Sequence, residues 1–162
     1  EIPNVIGSLT EAKEGKNREF VVQSVNSLQT QYYGFNLNHE VLKNKKVRLA
    51  FNYAINRDSL VDFILEGEGI ASHHGIIPKM QGYPTEKVNG FTHNKKLAKQ
   101  LLKEAGYPNG KNFPTLTISY NKAGQINELI ATTGSILYLR IFSICFSKFL
   151  NPLVTFSKLG VL

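Results

Sequence analysis

The chain of 162 residues has one cysteine, one methionine and no tryptophan, and its acidic residues end at Glu128. A lone thiol, Cys145, excludes an internal disulfide and any Cys-x-x-Cys metal or redox motif. Set in an apolar run, it reads as an inert buried thiol or as part of an aberrant tail. Ser59, Ser72 and Ser119 lack the Gly-x-Ser-x-Gly elbow or a triad context. Gly67-Glu68-Gly69 is not followed by the Gly-Lys-Ser/Thr of a phosphate loop. His73-His74, even taken with His39 or His93, has no carboxylate or cysteine at ligand spacing, so loop histidines exposed to solvent are expected and no metal. Arg57-Asp58 reads as helix-start electrostatics with a local salt link, not as a reactive dyad. None of these residues supports an enzyme or calls for a cofactor. The chain opens at Glu1 without a methionine or a charged-then-apolar leader, so a processed piece, or one cut from a longer reading frame, is expected.

What is present suits one domain with a real core. Hydrophobic residues make up 42% and charged residues 19%, an ordinary globular balance that argues against disorder. The net charge of +7 invites a nucleic-acid reading. Its distribution argues otherwise. Lys43, Lys45, Lys46 and Arg48 gather before one helix, and Lys95, Lys96, Lys99 and Lys103 lie along another that also carries Glu104. No RNP-like aromatic strand or helix-turn-helix spacing goes with them, so they read as solvated helix faces.

The hydrophobic period changes along the chain. A short helix is possible around Ser8 to Glu14. Phe20 to Val25 and Thr30 to Leu37 read as β runs, with Gly34 a bulge or close approach. From Val47 the period becomes helical: Val47, Ala50, Phe51, Ala54 and Ile55 form one wide stripe. Asn56 is a credible N-cap for a second helix carrying Leu60, Val61, Ile64 and Leu65, ended by Gly67, although one bent helix over both stretches fits as well. Residues 67–93 are an irregular connection rich in glycine and proline. Asn94 caps a third helix with Leu97, Ala98, Leu101, Leu102 and Ala105 facing the core, stopped by Gly106 and Pro108. Leu116, Ile118 and Tyr120 alternate with Thr117 and Ser119 as a half-buried strand. Strands alternating with helices predict an α/β fold.

The tail departs from this pattern. The last 34 residues keep only Arg140, Lys148 and Lys158 as charges. ILYLRIFSICFSKFLNPLVTF (136–156) is apolar around all faces. A membrane span, a buried core helix and a segment foreign to the fold all compete for it. Arg140, Lys148 and Asn151-Pro152 weigh against a stable transmembrane span, and the favoured reading divides the chain into 1–130 and an aberrant, frameshift-like 131–162.

Three stretches recur together in one order: YYGFN (32–36), KKVRLAFNYAINRDSLVDFILEG (45–67), and IIPKMQGYP with NKKLAKQLLKEAGYPNGKNFPTLTISYN (76–84 and 94–121). Together they resemble the large solute-binding proteins that feed oligopeptide- and dipeptide-type ABC importers. The likeness runs roughly from Ile2 to Ile130 and is most specific in VRLAFNYAINRDSLVD. Asn56 departs from it, since the family often has aspartate there; both cap helices well. The resemblance implies a two-lobed α/β clamshell of the periplasmic-binding-protein type that closes on a peptide or similar small solute, outside the cytoplasm, and delivers it to membrane permease subunits. It implies further that this chain is part of the second lobe, without the other lobe. In that family the helix begun by AGQINELIA continues amphipathically, whereas here the pattern stops near Ala131.

Tyr32, Tyr33 and Asn36 are the first ligand-side candidates, because the corresponding strand lies near the family's hinge and aromatic rings with polar tips suit a wet peptide cleft. Strand alternation offers the other reading, in which one tyrosine packs inward and its neighbour faces solvent. Tyr120 and Asn121, ending a strand toward the presumed cleft, are candidates for which packing is the competing role. The alternative function is a small basic α/β module binding a protein or nucleic-acid partner.

Overall fold

The computed structural model describes residues 29–77, 82–120, 125–142 and 146–149. Four α-helices and two strands lie among them: α1 (Lys45–Ala54), α2 (Arg57–Ile64), α3 (Lys95–Glu104), β1 (Leu116–Ser119), α4 (Gln125–Phe142) and β2 (Phe146–Phe149). The expected helix at 8–14, the β run at 20–25 and Cys145 fall outside the described residues.

Helix α1 is the centre. Its stripe of Val47, Ala50, Phe51 and Ala54, continued by Ile55, is buried throughout, with Phe51 only 1% exposed. The helix packs mainly on α3, whose Ala98 and Leu102 enter the same core, and Leu42, Leu116 and Ile141 close it. Phe51 meets Phe35 edge-on at 6.0 Å between ring centroids and Phe113 at the same distance with tilted planes. Phe113 in turn takes Tyr107 edge-on at 4.8 Å, so a chain of aromatic rings seals one side. Each fully buried large side chain here contributes about 1.5–3 kcal/mol by leaving water.

Caps set the helix boundaries. The Asn44 Oδ1 accepts from Lys46 N at 2.9 Å, and the Arg48 guanidinium donates to the Leu42 and Lys43 carbonyls, tying the preceding 3-10 turn (Glu40–Lys43) to α1. The Asn56 Oδ1 accepts from Ser59 N at 3.1 Å, so the apolar run breaks into two helices at residues 55–56 and is not one bent rod. The Asn94 Oδ1 accepts from Leu97 N at 3.0 Å and starts α3. Gly106 leaves α3 with φ +98°, a left-handed conformation that L side chains avoid. Helix α2 ends two residues before Glu66, which itself turns left-handed (φ 49°) ahead of Gly67.

Strand β1 keeps the alternation read from its residues: Leu116 is buried, Ile118 is half-buried, and Thr117 and Ser119 are exposed. It pairs in parallel with β2, Leu116 opposite Phe146 and Ser119 opposite Phe149. Parallel neighbours cannot be joined by a tight hairpin, and α4 supplies the crossover, making a β-α-β unit. Helix α4 thus runs through residue 131, and Ala131 and Ile141 are both buried. Among the described residues no helix is long and apolar enough to cross a membrane.

Two expectations are corrected. Residues Thr30 to Leu37 do not pair as a strand. Their β-branched and aromatic content suits a pleated surface, but a strand also needs a ladder partner, and the two-stranded sheet consists of β1 and β2. The segment instead runs to a turn in which His39 N donates to the Asn36 carbonyl and Asn38 N to the Asn36 Oδ1, both at 3.0 Å. The loop histidines are not uniformly solvent-exposed either: His39, His73 and His93 are half-buried, and only His74 is exposed. Backbone polar groups in the irregular connection need partners, and two of these rings supply them.

Candidate functional site

The candidate residues divide by their relation to α4. Tyr33 points into the protein: its hydroxyl donates to the Ile130 carbonyl at 2.6 Å, and its ring packs against the core cluster. Burial raises its phenol well above the ordinary tyrosine value, so it stays a proton donor. The backbone of α4 comes so close that a Cβ built on Gly134 would meet the Tyr33 hydroxyl, with the ring Cζ only 3.0 Å away. Tyr32, its neighbour, is 41% exposed. This is the alternation foreseen for adjacent residues of an extended segment, one inward and one outward.

Tyr120, just past the end of β1, is buried, at 6% exposure, with its hydroxyl beside Glu128. Burial first, and then the negative charge of nearby Glu128, raise its phenol. Tyr33 and Tyr120 are therefore brought to the same stretch of α4, one through the Ile130 carbonyl and the other through Glu128. Asn36 is exposed, with its side-chain oxygen engaged in the local turn. Asn121 lies outside the described residues. The accessible polar and aromatic groups on this side are thus Tyr32 and Asn36, held by a segment whose Tyr33 and Phe35 are anchored inward.

Reading by residue type missed Glu128, Ile130 and Gly134 as partners of the tyrosines. Gly134 in the middle of a helical run was the available signal, since glycine there is costly unless something must come close. A second polar assembly holds the irregular connection. The His73 Nε2 lies 3.0 Å from Asp58 Oδ1 at the start of α2, and its Nδ1 lies 3.3 Å from the Phe91 carbonyl. Phe91 N donates to the His73 carbonyl at 2.8 Å, and the His74 Nδ1 lies 2.8 Å from the Val88 carbonyl. Asn94 N then donates to the Tyr53 carbonyl at 2.8 Å, joining this loop to α1. The pairing of Asp58 with His73 adds a long-range link to the local helix-start role expected for Asp58. Among the described residues no group of three or more His, Cys, Asp or Glu side chains is arranged to hold a metal ion.

Comparison with known proteins gives one consistent answer. The profile of the bacterial extracellular solute-binding proteins, family 5 Middle, matches residues 4–133. The chain is 34% identical over 116 residues to the oligopeptide-binding protein AppA of Bacillus subtilis, a match covering 65% of this chain and 21% of AppA. It is 31% identical over 99 residues to the dipeptide-binding protein of Escherichia coli, covering 61% of this chain and 18% of that one. A crystal structure of the periplasmic oligopeptide-binding protein OppAIV from Borrelia burgdorferi superposes with a TM-score of 0.65 at 31% identity, over 74% of this chain and 23% of that chain. The matches thus span about a fifth of these relatives' own length. With a profile match over most of its residues, the chain belongs to the family-5 bacterial extracellular solute-binding proteins.

Proposed function

We propose that the chain is part of the substrate-binding component of an ABC importer for peptides or similar small solutes. It works outside the cytoplasm and passes its ligand to membrane permease subunits. The family match over residues 4–133 carries this reading, and relatives named for oligopeptide and dipeptide binding support the substrate class. The ligand side is the segment with Tyr32 and Asn36, backed by the inward Tyr33, together with the end of β1 at Tyr120 and Asn121. An exposed phenol and a carboxamide supply the kinds of contact a peptide offers partners for: a flat apolar face, and donors and acceptors matching its amides. Tyr33 holds the segment on α4 and so positions Tyr32. In a two-lobed receptor these contacts favour the closed form only if they are stronger there than in the open form.

Saturation-transfer NMR of the chain with a mixture of di- to pentapeptides tests the reading, with a neutral disaccharide as control. Peptide resonances that saturate while the sugar's do not support it. Equal or absent transfer for both overturns it.

The division near residue 131 belongs to the same proposal, with 1–130 as the solute-binding part and 131–162 foreign to it. The family match ending at residue 133 supports that division, while α4 crossing it with Ile141 in the core weighs on the other side. Cooperative melts of residues 1–130 and of the full chain decide between them. The division predicts that the shorter chain melts as cooperatively as the longer, and a melt that needs the tail refutes it.

A further inference from the structure

Helix α3 carries its charge in a pattern that costs stability and that no carboxylate among the described residues offsets. At 100° per residue, Lys95, Lys96, Lys99 and Lys103 fall within one arc of about 100°, beside the buried side of Ala98 and Leu102. Lys95–Lys99 and Lys99–Lys103 are both four residues apart, a spacing at which like charges repel. Lys95 and Lys96 also occupy the first turn, which has no acidic residue, so they face the positive end of the helix dipole. The carboxylate on the same helix is committed elsewhere: Glu104 accepts from Lys46 Nζ at 2.8 Å and from Gln100 Nε2 at 2.9 Å. All four lysines are exposed, and none has an anionic partner among the described residues. Lys99 and Lys103, with Gln100, Pro108 and Asn109, line an open cleft of about 540 Å³ between α3 and the turn that follows it.

We propose that this lysine face docks the chain on an anionic lipid surface, with phosphate headgroups in the cleft of Lys99 and Lys103. This goes beyond the solute-binding reading and does not depend on it. Charge complementarity selects an anion. The residue types select the lipid over a nucleic acid. The cationic residues of this arc are all lysines, point charges suited to a fluid array of headgroups, and no arginine fork or exposed aromatic ring joins them to grip a base or a fixed backbone geometry. The arc extends over about 12 Å of helix, from Lys95 to Lys103, long enough to meet more than one headgroup.

The experiment is vesicle co-sedimentation of the full chain, with phosphatidylcholine vesicles containing phosphatidylglycerol compared with pure phosphatidylcholine. The expected result is binding to the anionic vesicles only, weakened by salt. Lys99→Gln with Lys103→Gln should lower partitioning roughly 25-fold, at about fivefold per lysine, and Lys99→Arg with Lys103→Arg should retain it. Equal binding to neutral vesicles, no binding to either, or no loss in the glutamine variant overturns the proposal. So does binding to a random oligonucleotide that is tighter than to the anionic vesicles at the same ionic strength. Should the glutamine variant fail to fold, the salt titration of the unaltered chain still decides: binding that ignores ionic strength refutes the proposal.

Discussion

Substituting Gly134 by alanine separates a local rule from a tertiary one. In an isolated helix the change is favourable, since glycine costs about 0.8–1.0 kcal/mol relative to alanine at an interior position. Here the new Cβ would run into the Tyr33 hydroxyl and sit close to its ring. Tyr33 must then move, losing the hydrogen bond to the Ile130 carbonyl, about 1 kcal/mol, and straining a packed contact by about 1–3 kcal/mol. The balance is a net loss of about 1–3 kcal/mol, or roughly 2–12 °C in Tm for a chain of this size. The cause is specific, so it can be removed: in a Tyr33→Phe background the hydroxyl is absent and Gly134→Ala should cost much less. Urea unfolding of the four members of that cycle measures the coupling, read as shifts in midpoint at constant slope. A stabilising Gly134→Ala, or the same effect with and without the Tyr33 hydroxyl, refutes the argument that this helix is anchored by Tyr33.

Other expectations follow from the same contacts. Phe51→Ala, which truncates the largest fully buried side chain among the described residues, should cost about 3–5 kcal/mol and lower the urea midpoint accordingly. Asn56→Ala removes the cap that starts α2 and should cost about 1 kcal/mol, while Asn56→Asp should be nearly neutral by the same measurement. His93 is held below its ordinary value of 6.5 by burial and then by Lys95, so the fold favours its neutral form. Its contribution is complete above about 6.5 and is lost as pH falls from there toward the folded-state value, because the unfolded chain takes up the proton first. A pH series of melts on the protein and on His93→Gln should show that the acid-side loss is smaller in the variant, and an unchanged slope contradicts it.

Helices were the most legible part of the chain. The stripe from Val47 to Ile55 and the asparagines at 56 and 94 act over three or four residues, and such local signals survive in almost any context. The segment around Tyr32 was misjudged as a strand because a ladder needs a neighbour far away in the chain, and residue type does not name that neighbour. The histidines fared likewise: His73 meets Asp58 fifteen residues earlier and Phe91 eighteen residues later, a meeting that only the folded loop creates. Of the candidate site, the inward-outward alternation of Tyr33 and Tyr32 was legible from spacing. The carbonyl that receives the Tyr33 hydroxyl lies 97 residues away and was not.

Amide chemical-shift mapping of the chain during titration with a short peptide bears most directly on the claim that this is a peptide-binding surface. The account predicts perturbations gathered at Tyr32, Asn36 and Tyr120, with the lysine arc of α3 unmoved. Perturbations confined to α3, or none up to the highest peptide concentration reached, would contradict it.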